Sequence, residues 1–173
     1  MIDCRNDSDT GFAMATLTGT QHGDAANTLF AFYQDKASEL EDGGQYFMAA
    51  VALALALEAA VLTYMLVEFG EENGGELRIP SSVNLSDLIA AANEVDVLGA
   101  PIDIPSHIYD EGSDERPKHI ARDVIDGIRV FRIKIHPARA LKEGFDPRQF
   151  GKAQYNELTE SYESVMHSLM YYL

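Results

Sequence analysis

The chain has 173 residues, enough for one domain with a substantial core that needs neither disulfides nor a structural metal. Its 13 basic and 28 acidic residues leave a net charge of −15, which argues against indiscriminate binding to nucleic acid or anionic lipid. Cys4 is the only cysteine, so a disulfide framework within the chain is excluded, and His22, His107, His119 and His167 share no ligand spacing; neither a metal site nor a cofactor is expected.

Residues 1–21 are polar, rich in glycine and threonine and aperiodic, and are expected to be a flexible tail ahead of a helical domain at 22–173. The opening Met1 to Asp7 lacks the basic-then-apolar order of a secretory signal, so the expected setting is cytoplasmic. From Asp24 to Leu40, apolar Leu29, Phe32, Tyr33, Ala37 and Leu40 recur at helical intervals, and Gly43-Gly44 supplies a stop. A second helix is predicted from Gln45 to Phe69, with Val51, Leu55, Leu62 and Leu66 near one stripe and alanines around the rest. Phe47 to Val67 is long and apolar enough to suggest a membrane span, but Glu58 near its centre favours a buried central helix. Glu58 then either finds a cation, with Arg129, Arg132 and Lys134 as candidates, or reaches water at the core edge.

Ile79 and its neighbours suit a short extended piece, and Asn84 offers a cap to a third helix carrying Leu85, Leu88, Ile89, Val95 and Leu98. The stretch from Gly99 to Arg116, with Pro101 and Pro105, reads as a long loop. A fourth helix follows from Pro117 to His136, ended by Pro137, with Ile120, Val124, Ile128, Phe131 and Ile135 toward the core. Asp146-Pro147 opens the last helix, whose apolar face is Tyr155, Leu158, Tyr162, Val165, Met166, Leu169 and Tyr172. The expected architecture is an all-α, up-and-down bundle of about five helices, with the second, fourth and fifth as its core.

Charge is distributed unevenly. Arg116 to Lys152 holds ten basic and four acidic residues, a net of +6, while the remainder, with three basic and 24 acidic residues, carries −21. Such an island either balances acidic neighbours within the fold or meets a phosphate-bearing ligand. On the predicted fourth helix, Arg122, Arg129 and His136 fall within about 40° of one another, and Arg132 lies four residues before His136. A guanidinium offers phosphate a forked, permanently charged donor, and an imidazole moves protons near neutral pH, so this pairing suits phosphoryl chemistry.

At Arg132-Ile133-Lys134-Ile135-His136-Pro137 the chain resembles the higher-eukaryote and prokaryote nucleotide-binding (HEPN) family, whose members carry an arginine and a histidine late in one helix of a small bundle. The alanine-rich helix with Leu57-Glu58-Ala59-Ala60, the segment Leu85 to Leu98 and the closing Gln149 to Leu173 are similar to that family's second, third and last helices. Ile133 stands where a polar residue usually follows the family's arginine. Three residues separate Arg132 from His136, and six separate Arg129 from His136.

The resemblance implies a homodimer that binds RNA and cleaves it without metal, as a toxin or defence protein, with a nucleotidyltransferase-like antitoxin as a further partner. His136 would transfer the proton and Arg132 would stabilise the anion, with Arg129, Lys134, Arg122 and Arg139 binding substrate and Glu58 as a structural polar residue. The alternative is a non-catalytic helical dimerisation or interaction module whose basic island docks an acidic partner or another subunit.

Overall fold

A computed structural model describes residues 14–72, 76–80, 85–94, 101–102 and 119–171. Six α-helices dominate it: α1 (Gly19–Asp42), α2 (Tyr46–Glu72), α3 (Leu85–Glu94), α4 (Ala121–Lys134), α5 (Pro137–Glu143) and α6 (Lys152–Tyr171). The all-α reading holds. Two short antiparallel pairs flank the helices: β1 (Met14–Thr18) with β2 (Glu76–Pro80), and β3 (Pro101–Ile102) with β4 (His119–Ile120).

These strands correct two expectations: the flexible tail at residues 1–21, and a fourth helix from Pro117 with Ile120 on its core face, since His119–Ile120 is β4 and α4 begins at Ala121. Part of the expected tail is ordered secondary structure, because Met14–Thr18 pairs with Glu76–Pro80 in a register that sets Met14 opposite Pro80 and Thr18 opposite Glu76. The next residues already belong to α1. No local pattern announces β1; its backbone groups are satisfied only by a distant segment, the short extended piece expected around Ile79. The Asn84 cap, Val95, Leu98 and most of the long connection before His119 lie outside the described residues.

Helices α1 and α2 form a hairpin through Gly43-Gly44-Gln45. Gly44 takes φ +70°, a left-handed conformation that a side chain would strain, and the Gln45 N–H donates to the Leu40 carbonyl at 2.8 Å to close the end of α1. The side of α1 that touches α2 carries Ala26 and Ala37, both buried, whereas Leu29 and Phe32, expected in the core, are about half exposed. Alanine at the contact lets two helix backbones approach closely, and the larger side chains stand beside the seam.

Helix α2 is the centre of the bundle. Ala49, Leu53, Ala56, Leu57, Ala60, Val61, Tyr64 and Met65 are buried on several sides of it. The apolar window Tyr46–Val67 has a membrane span's length and composition, yet 67% of it is buried within the protein, as in a core helix. Ile125, Ile128 and Phe131 of α4, Tyr155, Tyr162, Val165 and Leu169 of α6, and Leu85, Leu88, Ile89 and Ala92 of α3 complete the core. The rings of Phe47, Phe131, Phe145 and Phe150 meet at centroid separations of 5.2–6.2 Å and tie the start of α2 to the end of α4 and the segment before α6.

Leu62, expected in the core, packs at its edge, whereas Leu57, Val61 and Leu66 on the same helix are fully enclosed. In a denaturant titration Leu57→Ala should therefore cost about 2–5 kcal/mol and Leu62→Ala clearly less; equal costs would contradict this placement. The Tyr162 hydroxyl is buried with no hydrogen-bond partner among the described residues, and burial pushes its pKa upward. Tyr162→Phe should thus leave stability unchanged or raise it by up to about 1 kcal/mol, since it removes an unsatisfied polar atom.

Candidate functional site

The site is built around a break in the chain. In α4 the helical pattern continues to Ile135, whose N–H donates to the Phe131 carbonyl at 3.1 Å, then tightens as the His136 N–H donates to the Ile133 carbonyl at 3.2 Å. His136 itself is extended, at φ −64° and ψ 127°. The cause is Pro137, whose ring disfavours helical geometry in the residue before it. The same proline then serves as the first residue of α5, and the His136 carbonyl accepts from the N–H groups of Arg139 and Ala140 at 2.9 and 2.8 Å.

His136 is consequently not the last residue of a helical ridge shared with Arg122 and Arg129. It is the joint between two helices. The chain leaves helical geometry at His136 itself, and what the structure shows of Arg132 and His136 is that both line one groove. An open groove of about 640 Å³ is lined by Leu85 and Ser86 at the start of α3, Arg132, Ile133 and Ile135 at the end of α4, and His136, Pro137 and Arg139 at the turn into α5. Among the described residues that lining contains two arginines and a histidine and no carboxylate.

The basic groups differ in what holds them. Arg132 donates from Nη2 to Glu58 Oε2 at 3.0 Å, with side chains 29% and 22% exposed respectively, so Glu58 finds one of the cations proposed for it. Arg139, half exposed, donates from Nε to Glu143 Oε1 at 2.5 Å. The His136 side chain is exposed and makes no hydrogen bond to another described residue. Arg129 is half-buried one turn before Arg132 and does not line the groove, although it has an interaction of its own. Lys134 is exposed and lines a separate depression of about 350 Å³ with Phe145, Phe150, Gln149 and Gln154 among its walls. Arg122 lies in the first turn of α4, and its side chain is outside the described residues. Of the expected site residues, the groove thus gathers Arg132, His136 and Arg139 and leaves Arg129 and Lys134 elsewhere.

Sequence reasoning missed α5 and the α3 contribution. The signal for α5 was present, since Pro137 followed by Ala138, Arg139, Ala140, Leu141, Lys142 and Glu143 up to Gly144 reads as proline start, good helix formers and glycine stop. Gly144 indeed takes φ +67° after the last turn. No local signal indicated that Leu85 and Ser86 would face this joint.

Beyond α5, Asp146 caps a single 3-10 turn at Pro147–Gln149 rather than opening the last helix directly, and Gly151 intervenes before α6. Arg148 closes on both carboxylate oxygens, from Nε to Oδ1 at 2.9 Å and from Nη2 to Oδ2 at 2.8 Å. With three arginines of the basic segment matched to carboxylates, its charge is partly balanced within the fold. Among the described residues no group of three or more His, Cys, Asp or Glu side chains is placed to hold a metal ion.

No protein-family model, curated protein or solved structure matches the chain.

The side-chain and backbone hydrogen bonds from Arg148 hold the Asp146 carboxyl below the usual aspartate range. Because the folded value is depressed, what this group contributes to stability is present above the ordinary aspartate pKa and is lost as pH falls through the depressed one. An NMR titration of the Asp146 carboxyl should give a midpoint below about 3.9, and Arg148→Ala, which removes the side-chain donor and keeps the backbone N–H, should raise it part of the way toward that value.

Proposed function

We propose that this chain is a HEPN-like RNA-binding protein that cleaves RNA at the groove between α3, α4 and α5. The observation that carries the reading is the composition of that groove: an exposed imidazole with no hydrogen bond to another described residue, beside two guanidinium groups, with no carboxylate among the described lining residues, on a protein whose net charge is strongly negative. An acidic body repels a polyanion in general, so a local basic groove confines contact to one place and favours a strand over a broad duplex surface.

RNA carries its own nucleophile. In the proposed reaction the His136 imidazole accepts the proton of a ribose 2′-hydroxyl, and that oxygen attacks the adjacent phosphorus. The phosphorus–5′-oxygen bond breaks, and the leaving oxygen takes a proton from water. The products are a 2′,3′-cyclic phosphate and a 5′-hydroxyl. Arg132 and Arg139 offer charged N–H donors to the oxygens on which negative charge grows. Pairing of two copies in a homodimer and capture by a nucleotidyltransferase-like antitoxin belong to the same proposal.

One observation favours a second reading. The ion pair with Glu58 gives Arg132 a role in holding α4 to α2, which a catalytically silent dimerisation or interaction module would need equally. Incubation of the purified protein with single-stranded RNA and with DNA of the same sequence separates the two. The cleaving protein degrades RNA, spares DNA, which lacks the hydroxyl, and does so in the presence of a chelator. His136→Ala should lower the rate by about 10²–10⁴-fold while retaining RNA binding that weakens steeply with salt. RNA left equally intact by wild type and folded variants would leave the silent module standing.

A further inference from the structure

We propose that Glu58 is a positioning residue that presents Arg132 to a phosphate in the groove. The proposal rests on the RNA-binding reading and adds to it the acidic side chain on which one cationic wall depends. Between Tyr46 and Val67, Glu58 is the only charged residue, so its place in the central helix opposes the apolar character of everything around it. A carboxylate in such a setting needs a cation or other donors to hold its charge. Its partner is 74 positions away in sequence and lines the groove.

The geometry of the contact is suited to positioning. Glu58 receives a hydrogen bond from Nη2 of Arg132, and a guanidinium has five N–H groups. One edge is held and the remaining donors stay available to a ligand. The Arg148–Asp146 pair shows the opposite case: Nε and Nη2 are both engaged by one carboxylate, which occupies the fork that a phosphate would need. Arginine is long and flexible, and fixing it before the ligand arrives lowers the ordering cost of binding. The Phe131 ring, adjacent in sequence and packed against Phe47 and Phe150, fixes the backbone from which Arg132 projects. Glu58 fixes its far end.

The test compares Glu58→Gln with Glu58→Met. Both remove the negative charge and keep the volume, and methionine suits the apolar helix, but only glutamine retains an acceptor for Arg132. With a short single-stranded RNA oligonucleotide as probe, followed by fluorescence anisotropy, the Gln variant should bind about tenfold more tightly than the Met variant. In an Arg132→Ala background the difference should vanish, since Glu58 acts through that side chain. Nitrogen-15 NMR should show restricted rotation of the Arg132 guanidinium in wild type and Glu58→Gln and free rotation in Glu58→Met. Equal RNA affinity of the two variants, with wild-type binding intact, overturns the role of Glu58 and leaves the groove. A difference that persists without Arg132 also overturns it. Absence of RNA binding by the wild type overturns the RNA reading and this proposal with it.

Discussion

Helix α2 is buried on several sides, and that constraint organises the rest of the molecule. An alanine-rich helix contributes little volume per residue, so its neighbours must come close and must come from more than one direction: α1 along one side, α6 and α4 along others, with α3 near its far half. In such a surround a charged residue is expensive, and Glu58 can be kept only at a seam where a cation reaches it. Arg132 is drawn to that seam. The ion pair and the groove therefore have one origin, because the surface left open where α3, α4 and α5 converge is the surface on which Arg132 is held.

The second determinant is Pro137. It ends α4, holds His136 extended and starts α5 in the direction that brings Arg139 to the same groove as Arg132. The joint is supported from beneath by the aromatic cluster of Phe47, Phe131, Phe145 and Phe150, whose members come from three separate parts of the chain. A histidine in an unbroken helix would stand on the ridge with Arg129. At the break it stands at the mouth of the groove, exposed and without a bond to another described residue.

The charge pattern has a double meaning in the folded protein. Arg132, Arg139 and Arg148 each meet a carboxylate, and for Arg148 the pairing closes both oxygens of Asp146 beside a turn. Internal balance thus explains part of the basic segment. It accounts for only part of the groove, where Arg132 and Arg139 each give one donor to a carboxylate and keep others, and where the described lining itself has no acid.

Local physics was sufficient for much of this. Apolar spacing along α1, α4 and α6, the glycine pair before α2 and the proline at 137 each act within a few residues and mark the helices and breaks they predict, while the aspartate before Pro147 caps a 3-10 turn ahead of the helix it was expected to open. A lone acid in the apolar helix likewise left two outcomes, a cation or water at the core edge, and the fold supplies the cation. What required the tertiary structure was every relation between distant segments: which of three candidate cations meets Glu58, that Met14–Thr18 pairs with Glu76–Pro80, that Leu62 is at the core's edge while Leu57 is at its centre, and that Leu85 and Ser86 wall the groove. The division follows from the reach of the forces. Backbone sterics and capping are settled by immediate neighbours, whereas burial and ion pairing depend on which surfaces the packed helices bring together.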